Sequence, residues 1–218
     1  IRVEPGEPVR ITSVDIRFEG PIVENADAVA ERMMTDVRRE WSLKPGAVYR
    51  QSAWDGAKAQ ALSDVKAKRY LGARVTTSEA RIDTNARTAA LSIAIESGPI
   101  FYLGDETIQG LRRYQGGIVR ALSPITPGNE YDRDALVVFQ RRLVATQYFT
   151  SVQIEVSDDR RQARATPVRI SIIEAPSRRF EVGVGYSTDT LYRLTAAYRD
   201  NDLFGRDWRL RTDSRLET

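Results

Sequence analysis

The feature that most constrains this chain is a turn written twice. Lys44 to Tyr49 reads KPGAVY and Thr126 to Tyr131 reads TPGNEY, so Tyr131 follows Tyr49 by 82 positions. In each, Pro fixes φ and the Gly after it can take positive φ, so a helix running into the pair must end there. Further landmarks recur in the same order. IRFEG ends at Gly20 and ETIQG at Gly110; KRYLGARV (68–75) is answered by TQYFTSVQI (146–154), and IESGP (95–99) by IEAPS (173–177). Tyr70 and Tyr148 are 78 apart, as are Glu96 and Glu174. The offset thus falls from 82 to 78 between the turn and the following Tyr, which places a deletion of about one helical turn in the second helix or its end. VEPGEP (3–8) resembles IESGP, 92 positions earlier, and marks Ile1–Gly6 as the tail of a preceding copy. Such spacings exceed the roughly 20–50 residues of a solenoid repeat and describe small domains in tandem.

Each copy has the same coarse order. In ITSVDIRFEG (11–20), Val14, Ile16 and Phe18 alternate with charged residues, the pattern of a half-buried strand. NADAVAERMMTDVRREW (25–41) sets Ala26, Ala30, Met33, Val37 and Trp41 on one helical stripe, with Asn25 as the expected N-cap. Ser52 with Asp55 reads as a capping box for a second helix carrying Trp54, Ala57, Ala61 and Val65. Segments 74–82 and 88–95 read as a hairpin, with Leu91, Ile93 and Ile95 on one face. The second copy offers a strand at 106–109, a short helix at 113–122, the turn, a helix at 132–147 with Leu136, Phe139 and Leu143 inward, and strands at 151–156 and 166–173. The expected fold class is α+β, two β-α-α-β-β domains over 9–98 and 99–176, with 1–8 belonging to an earlier one. Tyr49 and Tyr131 are expected to pack at the start of the second helix.

Segment 177–218 differs. Phe180, Val182, Val184 and Tyr186 alternate with Glu181, Gly183 and Gly185; Tyr192, Leu194, Ala196 and Tyr198 alternate with Arg193, Thr195, Ala197 and Arg199; Trp208 and Leu210 alternate with Arg209 and Arg211. Apolar-out, polar-in alternation with aromatics near segment ends is the pattern of outer-membrane barrel strands. A soluble sheet with one wet face has the same alternation.

Composition excludes several chemistries. The chain has no His and no Cys, which removes imidazole bases, thiol nucleophiles, disulfides and the usual zinc ligands. Lys plus Arg number 33 against 30 acids, interleaved as in DVRRE (36–40) and DDRR (158–161), a solvated surface rather than a nucleic-acid footprint. No apolar run approaches the roughly 20 residues of a membrane helix. With no initiator Met and no signal peptide, the sequence reads as an internal piece of a longer protein.

GYSTDT (185–190) and NDLFGRD (201–207), set after this domain order, resemble the TamA branch of the outer-membrane assembly-factor superfamily that includes BamA. The family shows a Gly after GYSTDT and an LFG-x-G turn, where this chain has Leu191 and Asp207. The resemblance implies POTRA domains in the periplasm of a Gram-negative bacterium, the second and third of three, followed over 177–218 by the first two or three strands of an incomplete outer-membrane β-barrel. It implies a role in inserting or exporting outer-membrane and autotransporter proteins. The implied partners are a TamB-like inner-membrane-anchored protein, unfolded clients, and outer-membrane lipid through the full barrel, with no cofactor.

The physical route is β-augmentation, in which a sheet edge offers backbone groups to any extended peptide. The family reading places the second strand of each POTRA domain at such an edge. The candidate residues are Arg74, Thr76 and Ser78 in the first domain, and Ser151, Val152, Gln153, Ile154, Glu155 and Val156 in the second. Val152, Ile154 and Val156 should face the helices and Gln153 and Glu155 solvent. The POTRA region of a BamA-like or two-partner-secretion transporter is the alternative. An enzyme is disfavoured by the missing His, Cys and Gly-rich phosphate loop. A KH-type nucleic-acid module is disfavoured because none of the fourteen glycines is followed by another three residues on.

Overall fold

A computed structural model describes residues 7–176, 178–186, 193–203 and 208–217. The tail of an earlier copy at 1–6, most of GYSTDT and the LFG turn lie outside these. The chain forms two compact units, one of Ile1–Thr107, Ser123–Phe139 and Ile154–Ile170, the other of Ile108–Leu122, Gln140–Gln153 and Ser171–Thr218.

The first unit contains the whole first repeat: β1 (Arg10–Glu19), α1 (Pro21–Glu24), α2 (Ala28–Glu40), α3 (Gln51–Lys66), β2 (Arg74–Asp83) and β3 (Thr88–Glu96). The sheet order is β1-β3-β2. β3 runs parallel to β1, a pairing that requires the helical crossover between them, and antiparallel to β2 through the hairpin. A register shift between Ile11 and Ser13 explains why Ile11 shares the buried face with Phe18 although their spacing is odd. Ala30, Val37 and Trp41 from α2 and its end meet Trp54, Ala57, Ala61 and Val65 from α3 over Leu91, Ile93 and Ile95. Trp41 and Trp54 pack edge to face at 5.8 Å.

Two caps differ from expectation. Asn25 ends α1, and Asp27 caps α2, its Oδ1 accepting from the N–H groups of Val29 and Ala30. Ala26 is therefore outside the helix and exposed. Ser52 lies inside α3, whose N-cap is Arg50 without a side-chain bond. Asp55 instead accepts from Gln51 and pairs with Lys58 at 2.9 Å, one turn along the helix.

The second repeat comprises β4 (Leu103–Gln109), α4 (Gly117–Leu122), α5 (Arg133–Ala145), β5 (Phe149–Val156), a 3₁₀ turn (Arg160–Gln162) and β6 (Thr166–Glu174), in sheet order β4-β6-β5. Leu136, Phe139 and Leu143 are buried as the stripe requires. α3 has 16 residues and α5 has 13, which accounts for most of the four-residue shortening.

The repeated turn does the same job twice. Gly46 and Gly128 have φ of 90° and 89°. The Gly46 N–H donates to the Ile11 carbonyl and the Ile11 N–H to the Ala47 carbonyl; the Gly128 N–H donates to the Leu103 carbonyl and the Leu103 N–H to the Asn129 carbonyl. Tyr49 N–H to Val9 O is matched by Tyr131 N–H to Phe101 O. The turn is thus a clasp that pairs with the start of its repeat's first strand; it does not itself stop the helix, since α2 already ends at Glu40 and α4 at Leu122. Tyr131 is buried; Tyr49 is half-buried and donates its hydroxyl to Gln51 at the start of α3.

In the second unit, β7 (Arg178–Gly185), β8 (Arg193–Leu203) and β9 (Trp208–Glu217) form an antiparallel sheet in that order. Among the described residues no helix is long and apolar enough to cross a membrane, which says nothing about strands.

Candidate edge-strand binding site

Both candidate strands lie at sheet edges, β2 beside β3 and β5 beside β6. In β2, pairing passes from Val75↔Ile95 to Thr77↔Ala94, so Thr76 is a bulge residue opposite no partner. Its hydroxyl lies 3.3 Å from the Ala94 carbonyl and 3.1 Å from Glu19 Oε2. Beyond the bulge, Ser78, Ala80 and Ile82 stand opposite Ile93, Leu91 and Ala89 and share their helix-covered face. Thr77, Glu79 and Arg81 point to the other face, with Arg81 3.1 Å from Glu79. Arg74 pairs with Glu96 opposite it, at 3.1 Å. The bulge therefore keeps Arg74, Thr76 and Ser78 from forming one alternating row. Only Val75 and Ala80 in β2 are even half-buried, and Ile82 is 43% exposed.

β5 is held more closely. Val152 is buried, Ile154 and Val156 are half-buried, and Ser151, Gln153 and Glu155 are exposed, the facing the sequence implies. Gln140 of α5 reaches the strand and donates its Nε2 to the Val152 carbonyl at 2.8 Å. Arg169 of β6 lies 3.6 Å from Glu155.

Several residues that organise these surroundings carry no sequence signal. Arg160 donates to the Gly72 carbonyl and lies 2.6 Å from Glu96 Oε2. Burial pushes the Glu96 carboxyl up, but Arg160, the Gly98 N–H and Arg74 outweigh it and hold the group below its ordinary range. Glu174, the second copy's counterpart of Glu96, instead accepts from the N–H groups of Arg112, Arg113 and Tyr114. The repeated Ile-Glu therefore serves two different local purposes.

The sheet of β7, β8 and β9 has two unlike faces. Phe180 pairs with Tyr198, Val182 with Ala196, and Val184 with Leu194, which pairs onward with Leu216. Phe180, Val182, Val184 and Leu216 are between 60% and 84% exposed. At one end of that face Asp200 is buried, bonded by Arg178 and by the Tyr198 hydroxyl. The opposite face carries Glu181, Gly183, Thr195, Arg211, Asp213 and Arg215.

No family model matches the sequence. Among solved structures, the chain is similar to BamA from Haemophilus ducreyi lacking POTRA domains 1-3, with a TM-score of 0.68 and 14% identity over 95% of this chain and 37% of that one. It is also similar to BamA POTRA3-5 from Haemophilus influenzae, with a TM-score of 0.59 and 14% identity over 76% of this chain and 61% of that one. The chain spans less than two thirds of either. At this identity the likeness shows the fold, and the small mixed sheets are of POTRA type.

Proposed function

We propose that this chain is the periplasmic POTRA region of an outer-membrane protein assembly or translocation factor, followed by the first strands of its β-barrel. The observation that carries the reading is the pair of POTRA-type sheets, each with its second strand at an edge. Such an edge can accept an extended client by backbone pairing, with little regard to its sequence. Each added hydrogen bond contributes about 0.5–1.5 kcal/mol net, so a four- or five-bond contact is reversible and suits handing a client on. The barrel reading is supported by the exposed apolar face of β7, β8 and β9. The three strands are too few to close, since bacterial barrels have at least about eight.

Within the superfamily, GYSTDT supports a TamA-like protein with a TamB-like partner and autotransporter clients. The likeness to BamA over 95% of the chain supports a BamA-like protein as the second reading. Either places the two repeats in the periplasm of a Gram-negative bacterium and assigns no catalysis. The test is a titration of the chain, held in mild detergent, with a synthetic alternating peptide and with a scrambled peptide of equal composition. Saturable binding of the alternating peptide alone supports strand capture, and equal binding of both refutes it.

A further inference from the structure

We infer that the two edges are unequal and that β2 of the first repeat is the one that captures a client strand, while β5 of the second is closed to it. This rests on the strand-capture reading above. Three observations separate the edges.

The first is backbone occupancy. Among the described residues, no hydrogen bond reaches the β2 backbone except those of the β3 ladder. In β5 the Val152 carbonyl already accepts from Gln140, and the Glu155 side chain lies 3.6 Å from Arg169. An incoming strand that bonds to the Val152 carbonyl must compete with Gln140. Among the described residues no such bond is made at the β2 backbone.

The second is side-chain accessibility. A pairing strand lays alternate side chains on the two faces of the strand it joins. Every side chain of β2 except Val75 and Ala80 is exposed, so both faces can be reached. In β5, Phe149 and Val152 are buried, Phe149 against the rings of Tyr114 and Tyr148.

The third is chemistry. Past the bulge at Thr76, one face of β2 presents Ser78, Ala80 and the exposed Ile82, and the other presents Thr77, Glu79 and Arg81. The fitting occupant has apolar residues on one side and polar residues of both charge signs on the other. It is an amphipathic strand of barrel type, of which Arg178–Tyr186 of this chain is itself an example, with Phe180, Val182 and Val184 alternating with Glu181 and two glycines. The bulge limits pairing to Thr77–Asp83, since the ladder is interrupted at Thr76.

The experiment uses the full chain and a synthetic peptide of sequence RRFEVGVGY. Ser78→Pro and Glu79→Pro probe β2, and Gln153→Pro and Ile154→Pro probe β5. Because N–H groups alternate sides along a strand, one of each adjacent pair removes a ladder bond and the other an outward donor. The variant that melts like the parent is the one read for binding. The outward β2 proline should weaken peptide binding roughly tenfold, the scale of one lost backbone bond together with obstructed pairing, while the outward β5 proline leaves it unchanged. A second measurement does not depend on proline. The chain has no cysteine, so Thr77→Cys and Gln153→Cys each supply a single thiol for disulfide trapping of a cysteine-bearing peptide. Trapping at 77 and not at 153 is expected. Loss of binding or trapping confined to β5, or shared equally by both strands, overturns the inference and leaves strand capture standing. A peptide that binds but is neither trapped nor weakened at either strand overturns both.

Discussion

The Nε of Arg69 lies 2.6 Å from Oε2 of Glu130, 61 positions further along the chain. The same guanidinium reaches Asp27 Oδ2 at 2.6 Å, and the Arg69 backbone, at φ 59°, donates to the Tyr131 carbonyl and accepts from the Phe101 N–H. One residue from the loop after α3 thus joins the cap of α2 to the second repeat's turn, all inside the first compact unit. The unit takes in parts of both repeats because these bonds, with Arg160 to Gly72 and Arg133 to Ser63, cross the repeat boundary. Arg69→Ala should destabilise the chain by about 1–2 kcal/mol, since the guanidinium is mostly buried but its carboxylates are partly solvated. Arg69→Lys should recover little, because one ammonium cannot face both acids in this geometry. Urea melts of the three proteins check this.

Gly110 follows β4, at φ 92°. A Cβ built there would stand 2.0 Å from the Ile172 carbonyl oxygen, a backbone atom that cannot swing aside. Gly110→Ala should cost about 2–4 kcal/mol, the sum of strain at positive φ and the clash. Gly117→Ala is the control, because a Cβ there meets nothing within 4 Å. Thermal melts should separate the two variants clearly.

Glu174 and Asp64 should give opposite pH dependences. Burial raises the Glu174 carboxyl, but the three backbone N–H donors and the Arg113 charge more than offset it and leave it lowered. A lowered native pKa stabilises the fold above the unfolded value of about 4.3, and this is lost as pH falls through the native pKa. Glu174→Gln should therefore lower the melting temperature at pH 7 and converge with the parent as pH falls through that lowered native pKa. Asp64 is raised, chiefly by burial, with the Gln60 bond opposing and the Glu40 charge adding. Its charged form is the disfavoured one in the native state, so Asp64→Asn should raise the melting temperature at pH 7 and lose that advantage in acid. Melting temperatures between pH 3 and pH 8, all at about 0.1 M salt where the Debye length is about 10 Å, make the comparison.

A chain ending at Pro176 should melt cooperatively in water. The buried apolar residues among those described all lie at or before Ile172, and the one buried residue beyond them is Asp200, bonded within its own sheet. The 218-residue chain should self-associate or bind detergent where the shorter one does not, because Phe180, Val182, Val184 and Leu216 present a contiguous apolar face. Sedimentation with and without detergent distinguishes them. Failure of the shorter chain to fold would overturn the reading of two repeats complete without the tail.

The amino-acid sequence by itself determined the repeated landmarks, the order of the main elements without α1, and the buried stripes apart from Ala26. Those depend on local periodicity and on Pro-Gly turns, where steric limits act within a few residues. Trp54, Ala57, Ala61 and Val65 are buried together because helical spacing aligns them, and Gly46 and Gly128 share one φ because the same turn demands it. The tertiary structure alone decided which side chains hold the repeats and their edges. Asp27 rather than Asn25 became the cap with Arg69 against its second oxygen, Gln140 closed on Val152, and Thr76 bulged out of register. Each joins groups whose separation in sequence bears no relation to their separation in space, or turns on one residue of strand register. A side-chain period of two makes the facing of a whole strand depend on whether one residue is skipped, and no local pattern in VTTSEAR records that choice.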